Sequence, residues 1–171
     1  MVNIRPVTAS DEPLLPGLCE LLIDAVHGGA SIGFLAPMSQ RTAARHWEQV
    51  FSSLGDSLFL WVAVMEGRVV GSVQLAASER ENGRHRAEIQ KLMVLGAHRG
   101  QGISTQLMAA AESFARSIGR TLLVLDTRAG SVAESVYRHL GWRKAGEIPG
   151  YAASPDGQLH ATVYYYKFTT P

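Results

Sequence analysis

Leu92-Met93-Val94-Leu95-Gly96-Ala97-His98-Arg99-Gly100-Gln101-Gly102-Ile103-Ser104 decides how this chain is read. An apolar run gives way to a polar, glycine-containing loop. The loop opens a segment with Leu107, Met108, Ala111, Phe114, Ala115 and Ile118 at helical spacing. The pattern predicts a strand, a loop over 96–102 and a helix over 103–118, with Gly119 at its C-terminus. Gly100 and Gly102 let main-chain N–H groups converge on one point, where the helix N-terminus adds partial positive charge. Such a turn either cradles a phosphate or pyrophosphate or is only a tight turn. A P-loop needs Lys and then Ser or Thr after its last glycine, but Ile103 and Ser104 follow Gly102. A dinucleotide fingerprint needs glycine where Thr105 stands, on a chain of repeated βαβ units.

The sequence before this stretch reads as a meander. Dense apolar runs over 58–65 and 68–77 flank Glu66-Gly67, and a turn at Glu81-Asn82-Gly83 leads to a long strand over 84–95. Earlier still, a short strand over 2–8 precedes a helix expected to start at Ser10-Asp11-Glu12-Pro13. That helix ends near His27-Gly28-Gly29. The loop over 28–38 is unusually apolar, and a second helix covers 39–54. After the decisive stretch, the apolar strand over 121–127 looks covered on both faces. Ser131-Val132-Ala133-Glu134 reads as a capping box starting a helix at Ser131. Strands over 142–148 and 161–168 close the chain. The order βααβββαβαββ implies a mixed, mostly antiparallel α/β sheet with flanking helices. Its parallel central pair is joined by the right-handed crossover over 84–127.

A length of 171 residues, 46% of them hydrophobic, predicts a single domain over residues 1–171. With 16 basic and 15 acidic residues, the net charge of +1 provides no overall attraction for nucleic acid or an anionic membrane. No apolar run approaches the roughly 20 residues of a membrane helix, and the first residues do not resemble a signal peptide. Cys19 is the sole cysteine, which excludes an intramolecular disulfide, and the histidines lack ligand spacing. The expectation is a cytoplasmic protein with no metal, acting as a monomer or homodimer.

Arg99-Gly100-Gln101-Gly102-Ile103-Ser104 resembles the pyrophosphate signature of the GNAT acyltransferase superfamily, with Ser104 in place of its usual Gly or Ala. Ala133, Tyr137 and Gly141-Trp142 resemble that family's second motif. Gly130 stands where the motif often has Asn, which makes Ser131 the neighbouring polar candidate. Blocks over 26–34, 86–95, 125–127, 129–134, 146–151 and 155–160 are similar to the tabtoxin-resistance branch of the superfamily. The resemblance implies the GNAT fold with a splayed parallel pair and acetyl-CoA as donor. It implies transfer to the amine of a small molecule, such as an amino-acid-like or β-lactam toxin, as a toxin-resistance activity. Protein or peptide N-terminal acetylation and a non-catalytic CoA-binding sensor are the alternatives.

The resemblance also assigns roles. Backbone N–H groups of Leu92, Met93 and Val94 would bond the pantetheine arm and stabilise the developing oxyanion. Arg99, Gly100, Gln101, Gly102, Ile103, Ser104 and Thr105 would hold the pyrophosphate, with Ser131 nearby. Tyr137 would be the general acid towards the leaving thiolate. Asp126, ending an apolar strand, and Glu88 are candidates to receive the substrate proton, in either order of importance. Strand alternation places Glu88 on one face with Leu92 and Val94. His27, Phe34 and Tyr151 are candidates for the acceptor pocket. Cys19, inside the first helix, is expected to take no covalent part.

Overall fold

The computed structural model describes residues 1–169. Strand β1 (Asn3–Pro6) is followed by helices α1 (Leu15–His27) and α2 (Gln40–Ser52). Then come β2 (Leu58–Met65), β3 (Arg68–Ala77), β4 (Arg86–Val94), α3 (Ile103–Ser117), β5 (Leu122–Arg128), α4 (Val132–His139), β6 (Arg143–Ala153) and β7 (Leu159–Phe168). The element order is the one expected. The strands form one seven-stranded sheet in the order β1-β2-β3-β4-β5-β7-β6. Only β4 and β5 are parallel. Helix α3 covers the face carrying Gly71, where an added Cβ would meet Leu107 and Ile103. Helix α1 covers the opposite face, with Gly17 against Val69.

The periodic residues explain the packing. Leu18, Leu21, Leu22, Ala25 and Val26 of α1 and Ala43 and Trp47 of α2 are buried, in one core with Leu107, Met108, Ala111 and Ala115 of α3. Each large side chain buried this way contributes about 1.5–3 kcal/mol. Trp47 also donates its indole N–H to the Leu18 carbonyl at 2.8 Å, so its polar atom is not stranded. Phe114 packs edge-on against Trp61, centroids 5.2 Å apart, while Ile118 lies outside the core.

Two boundaries and one cap differ from the sequence reading. Helix α1 starts at Leu15, after a 3-10 turn over Glu12–Leu14. Asp11 does not cap it; its carboxylate accepts the Thr8 N–H at 2.8 Å and pairs with Arg5 at 2.9 Å. Strand β6 runs past Pro149 to Ala153, because it is an edge strand whose register shifts between Ile148 and Ala152 accommodate that proline. The expected capping box does not close. Ser131 is the N-cap of α4 but makes no side-chain cap bond. Glu134 instead accepts the Gly130 N–H at 2.7 Å and the Tyr165 hydroxyl at 2.6 Å, drawn inward by a buried partner on β7.

Two irregularities position the site. β4 and β5 pair only at Arg86–Leu122, Ala87–Leu123 and Glu88–Val124. Beyond Glu88, β4 stays with β3 as far as Val94, and β5 stays with β7 as far as Arg128, so the parallel pair separates. In β4 the register moves from Gln74–Gln90 to Ser72–Met93. Lys91 and Leu92 therefore oppose the single residue Val73, which is a β-bulge, and Lys91 takes a φ of 49°. The bulge bends β4 away from β5 and resets the alternation. Glu88 shares a face with Gln90 and Met93, and Val94 lies on the other face with Ile89, contrary to the alternation expected from sequence.

Candidate active site

The cradle forms where β4 runs into α3. Gly100 and Gly102 both adopt φ of 74°, with open space where a Cβ would stand. Gly102 is a left-handed N-cap with no side chain to occupy the helix end. The first bond onto its carbonyl comes from Gln106 N–H at 3.2 Å. The N–H groups of Ile103, Ser104 and Thr105 consequently have no partner among the described residues. This open, donor-lined helix start fits a pyrophosphate. Arg99 lies at its edge, folded back to donate Nε–H to the Val94 carbonyl at 3.3 Å.

Glu88, Val124, Asp126 and Tyr164 share one face at the mouth of the β4–β5 gap, as the pairings Glu88–Val124 and Asp126–Tyr164 require. Burial raises the pKa of the half-buried Glu88, and Asp126 raises it further, against the opposing pull of Gln90, Lys91 and Arg86. Asp126 presents its side chain to solvent, yet the protein around it pushes its pKa above the usual carboxylate range. Its own backbone and Lys91 pull the other way.

Tyr137 lies within α4. Its ring is buried between Trp142, at 6.1 Å, and Tyr165, at 6.4 Å between centroids. Burial first, and then the charge of Asp126, hold its phenol well above the ordinary value. Its hydroxyl makes no hydrogen bond among the described residues. The group is a protonated donor awaiting an acceptor. Cys19 is buried in α1, and burial raises its pKa, so it stays a neutral thiol within the core.

The acceptor-side residues separate. Phe34, from the loop between α1 and α2, reaches the site: Lys91 Nζ stands 5.9 Å from its ring centroid, and the His46 ring packs on its edge at 5.2 Å. Tyr151 approaches at one remove, its ring 6.0 Å from that of Tyr164. The Tyr151 hydroxyl is the leading reason that Tyr164 is pushed up to about 12. His27 does not face the carboxylates. Its Nε2 accepts the Met38 N–H at 3.0 Å, latching the two ends of the loop. Ala36 N–H meets the Pro155 carbonyl at 2.9 Å, joining the loop to the β6–β7 turn. A cavity of about 430 Å³ opens between them, lined by residues including His27, Leu35, Pro37 and Asp156. Neither Glu88, Asp126 nor Tyr137 lines it. Ser131 sits at the far end of β5, its Oγ 3.4 Å from Thr127 Oγ1.

Sequence reasoning missed Lys91, Tyr164 and His46. A bulge leaves no mark in an apolar-polar pattern. Tyr164 is one of three adjacent tyrosines, Tyr164, Tyr165 and Tyr166, with nothing in the sequence to single it out. Among the described residues, no cluster of three or more His, Cys, Asp or Glu could hold a metal ion. Nor is any helix long and apolar enough to cross a membrane.

A parallel pair that opens beside a bulged strand, with an N–H-lined cradle at the following helix, defines an acyl-CoA acyltransferase architecture. The chain belongs to the acetyltransferase (GNAT) family, whose model matches residues 22–142, and it is an acetyltransferase. It is 32% identical over 116 residues to an uncharacterized N-acetyltransferase in the hisH-hisA intergenic region of Azospirillum brasilense, covering 67% of this chain and 68% of that protein. It is 33% identical over 127 residues to rat N-acetylaspartate synthetase, covering 71% of this chain but only 41% of that enzyme. The chain thus spans less than half of the latter relative. Among solved structures, yncA, a putative acetyltransferase from Salmonella typhimurium with its cofactor acetyl-CoA, superposes with a TM-score of 0.80. That match has 18% identity and covers 100% of this chain and 95% of the other.

Proposed function

We propose that this enzyme, acting as one domain, moves acetyl from acetyl-CoA directly to the amine of a small molecule. The carrying observation is that Glu88 and Asp126 share one face at the mouth of the β4–β5 gap, while the buried Tyr137 keeps its phenolic proton within reach of the Asp126 charge. Acetyl-CoA supplies an activated thioester. The N–H groups of Ile103, Ser104 and Thr105, together with the backbone at Gly100, Gln101 and Gly102, hold its pyrophosphate, with Arg99 and Ser131 at the margins. Backbone N–H groups from Leu92 to Val94, freed from β5, orient the acyl arm and stabilise charge on the carbonyl oxygen.

Asp126 and Glu88 take the proton from the incoming ammonium and orient the amine, and Tyr137 donates its phenolic proton to the departing thiolate. Phe34 and Tyr151 shape the acceptor pocket, while His27 holds its loop. Phe34 over Lys91, on a loop latched through His27–Met38, favours a compact acceptor over a protein chain. Toxins of the tabtoxin and β-lactam amino-acid type fall within that class.

The test is acetyl-CoA-dependent thiol release across a panel of small amines that includes β-lactam amino acids. Turnover with a small amine supports the reading. Acetyl-CoA binding with turnover confined to peptides overturns it in favour of N-terminal acetylation. Binding without any turnover points to a sensor.

A further inference from the structure

We propose that Lys91 is the anion-binding residue of the acceptor pocket, so that the acceptor carries a carboxylate as well as the amine to be acetylated. This inference rests on the small-amine reading above and adds the acceptor's second functional group.

Strict alternation from Gln90 would send Lys91 to the face covered by α3, which is filled with apolar side chains. The bulge prevents this. With a φ of 49°, Lys91 turns back beneath the loop between α1 and α2. There its Nζ lies 5.9 Å from the Phe34 ring centroid and 3.8 Å from where a Gly33 Cβ would be. A left-handed conformation is strained at a lysine, and such strain persists where the surrounding structure enforces it.

The ammonium placed in this way is half-buried and makes no hydrogen bond and no ion pair within 4.0 Å among the described residues. Two aromatic rings lie close to it. Phe34 offers a ring face, which attracts a cation weakly. His46 is held neutral, at about 4, first by burial and then by the Lys91 charge itself. Its Nε2 is buried without a partner. Burial lowers the Lys91 pKa, and Asp126 and then Glu88 pull it back up without contacting it. The pocket therefore presents two carboxylates and one unpartnered ammonium. A zwitterion complements that pattern: its ammonium faces Glu88 and Asp126, and its carboxylate faces Lys91. A plain amine would leave Lys91 buried and unpaired, which is unfavourable.

The test uses thiol release with the common α-amino acids, each compared with its own carboxamide. Wild type, Lys91→Met and Lys91→Arg are assayed at saturating acetyl-CoA. Methionine keeps the length of the stem and removes the charge. For the best amino-acid acceptor, Lys91→Met is expected to lower kcat/KM by roughly tenfold to a hundredfold, mostly through KM, the range for a charged hydrogen bond. For the matching carboxamide the change is expected to stay within about threefold, and Lys91→Arg should restore part of the loss. Comparing two acceptors on two enzymes cancels their intrinsic reactivities. Unchanged acetyl-CoA binding by calorimetry and an unchanged melting profile show that Lys91→Met is folded. Equal losses on acid and amide, or a wild-type preference for the amide that Lys91→Met leaves in place, overturn the proposal alone. Absence of turnover with every small amine overturns the parent reading, and this inference with it.

Discussion

The carboxylate of Asp24, in the last turn of α1, accepts the backbone N–H of Gly96 at 2.9 Å. This bond ties the helix leading into the acceptor loop to the start of the cradle loop, across 72 residues of sequence. Asp24→Ala should therefore raise KM for acetyl-CoA several-fold and cost about 1 kcal/mol of stability, the usual worth of such a bond. Steady-state kinetics and chemical denaturation check both. An unchanged KM would mean that the cradle holds its shape without the tie.

Tyr137→Phe removes a hydroxyl that no other described residue engages, so folding should survive. We expect kcat to fall by roughly a hundredfold or more, as for loss of a general acid. Burial keeps the phenol protonated well past its ordinary range, so wild-type kcat should show no alkaline loss attributable to this group at moderately basic pH. A variant with full kcat throughout the pH range would remove Tyr137 from the mechanism.

Glu88 and Asp126 both have raised pKa values, and both must be ionised to receive a proton. The sign follows: activity should fall on acidification at a higher pH than ordinary carboxylates would give. Glu88→Gln and Asp126→Asn are each expected to lower kcat/KM, with the larger effect marking the main base. pH–rate profiles of the two variants decide this, since removing the main base flattens the acid limb.

Gly102→Ala forces a side chain into a left-handed N-cap, a strain of about 1–2 kcal/mol. It also places a methyl group at the mouth of the cradle. Weaker acetyl-CoA binding by calorimetry, beyond what the lower melting temperature explains, is the expected result. Intact affinity would locate the pyrophosphate elsewhere.

Glu134 is held below the usual carboxylate range, first by the Tyr165 hydroxyl and then by the Gly130 N–H. A depressed carboxylate stabilises the fold fully above its unfolded pKa and loses that contribution as pH falls through the folded value. Glu134→Gln should thus lower the melting temperature near neutrality, with the gap from wild type narrowing in acid. A gap that is constant with pH would assign Glu134 a packing role only.

Much of this architecture was readable because it depends on backbone demands that glycine and periodic leucine advertise. Gly100, Gly102 and Gly119 marked the limits of the cradle and of α3, and the alternation of apolar runs marked the meander. The same logic failed where one side chain overrode a local rule. Tyr165 drew Glu134 out of its expected cap, and an edge position let β6 continue through Pro149. The bulge at Lys91 and Leu92 reversed the facing of everything after it in β4. Asp126, Glu88 and Tyr137 stood out because polar groups beside apolar strands require a reason. Lys91 passed as an ordinary strand lysine, since its reason lies in the register with β3.

One surplus residue in β4 has two effects at once. It bends the strand away from β5, and it swings an ammonium beneath the loop between α1 and α2. The donor slot and the polarity of the opposite wall are therefore not separately adjustable. Deleting that residue to regularise the hairpin would close the slot and hide the charge in the same event. Changes of acceptor preference are therefore expected in the loop around Phe34 rather than in the kink beneath it.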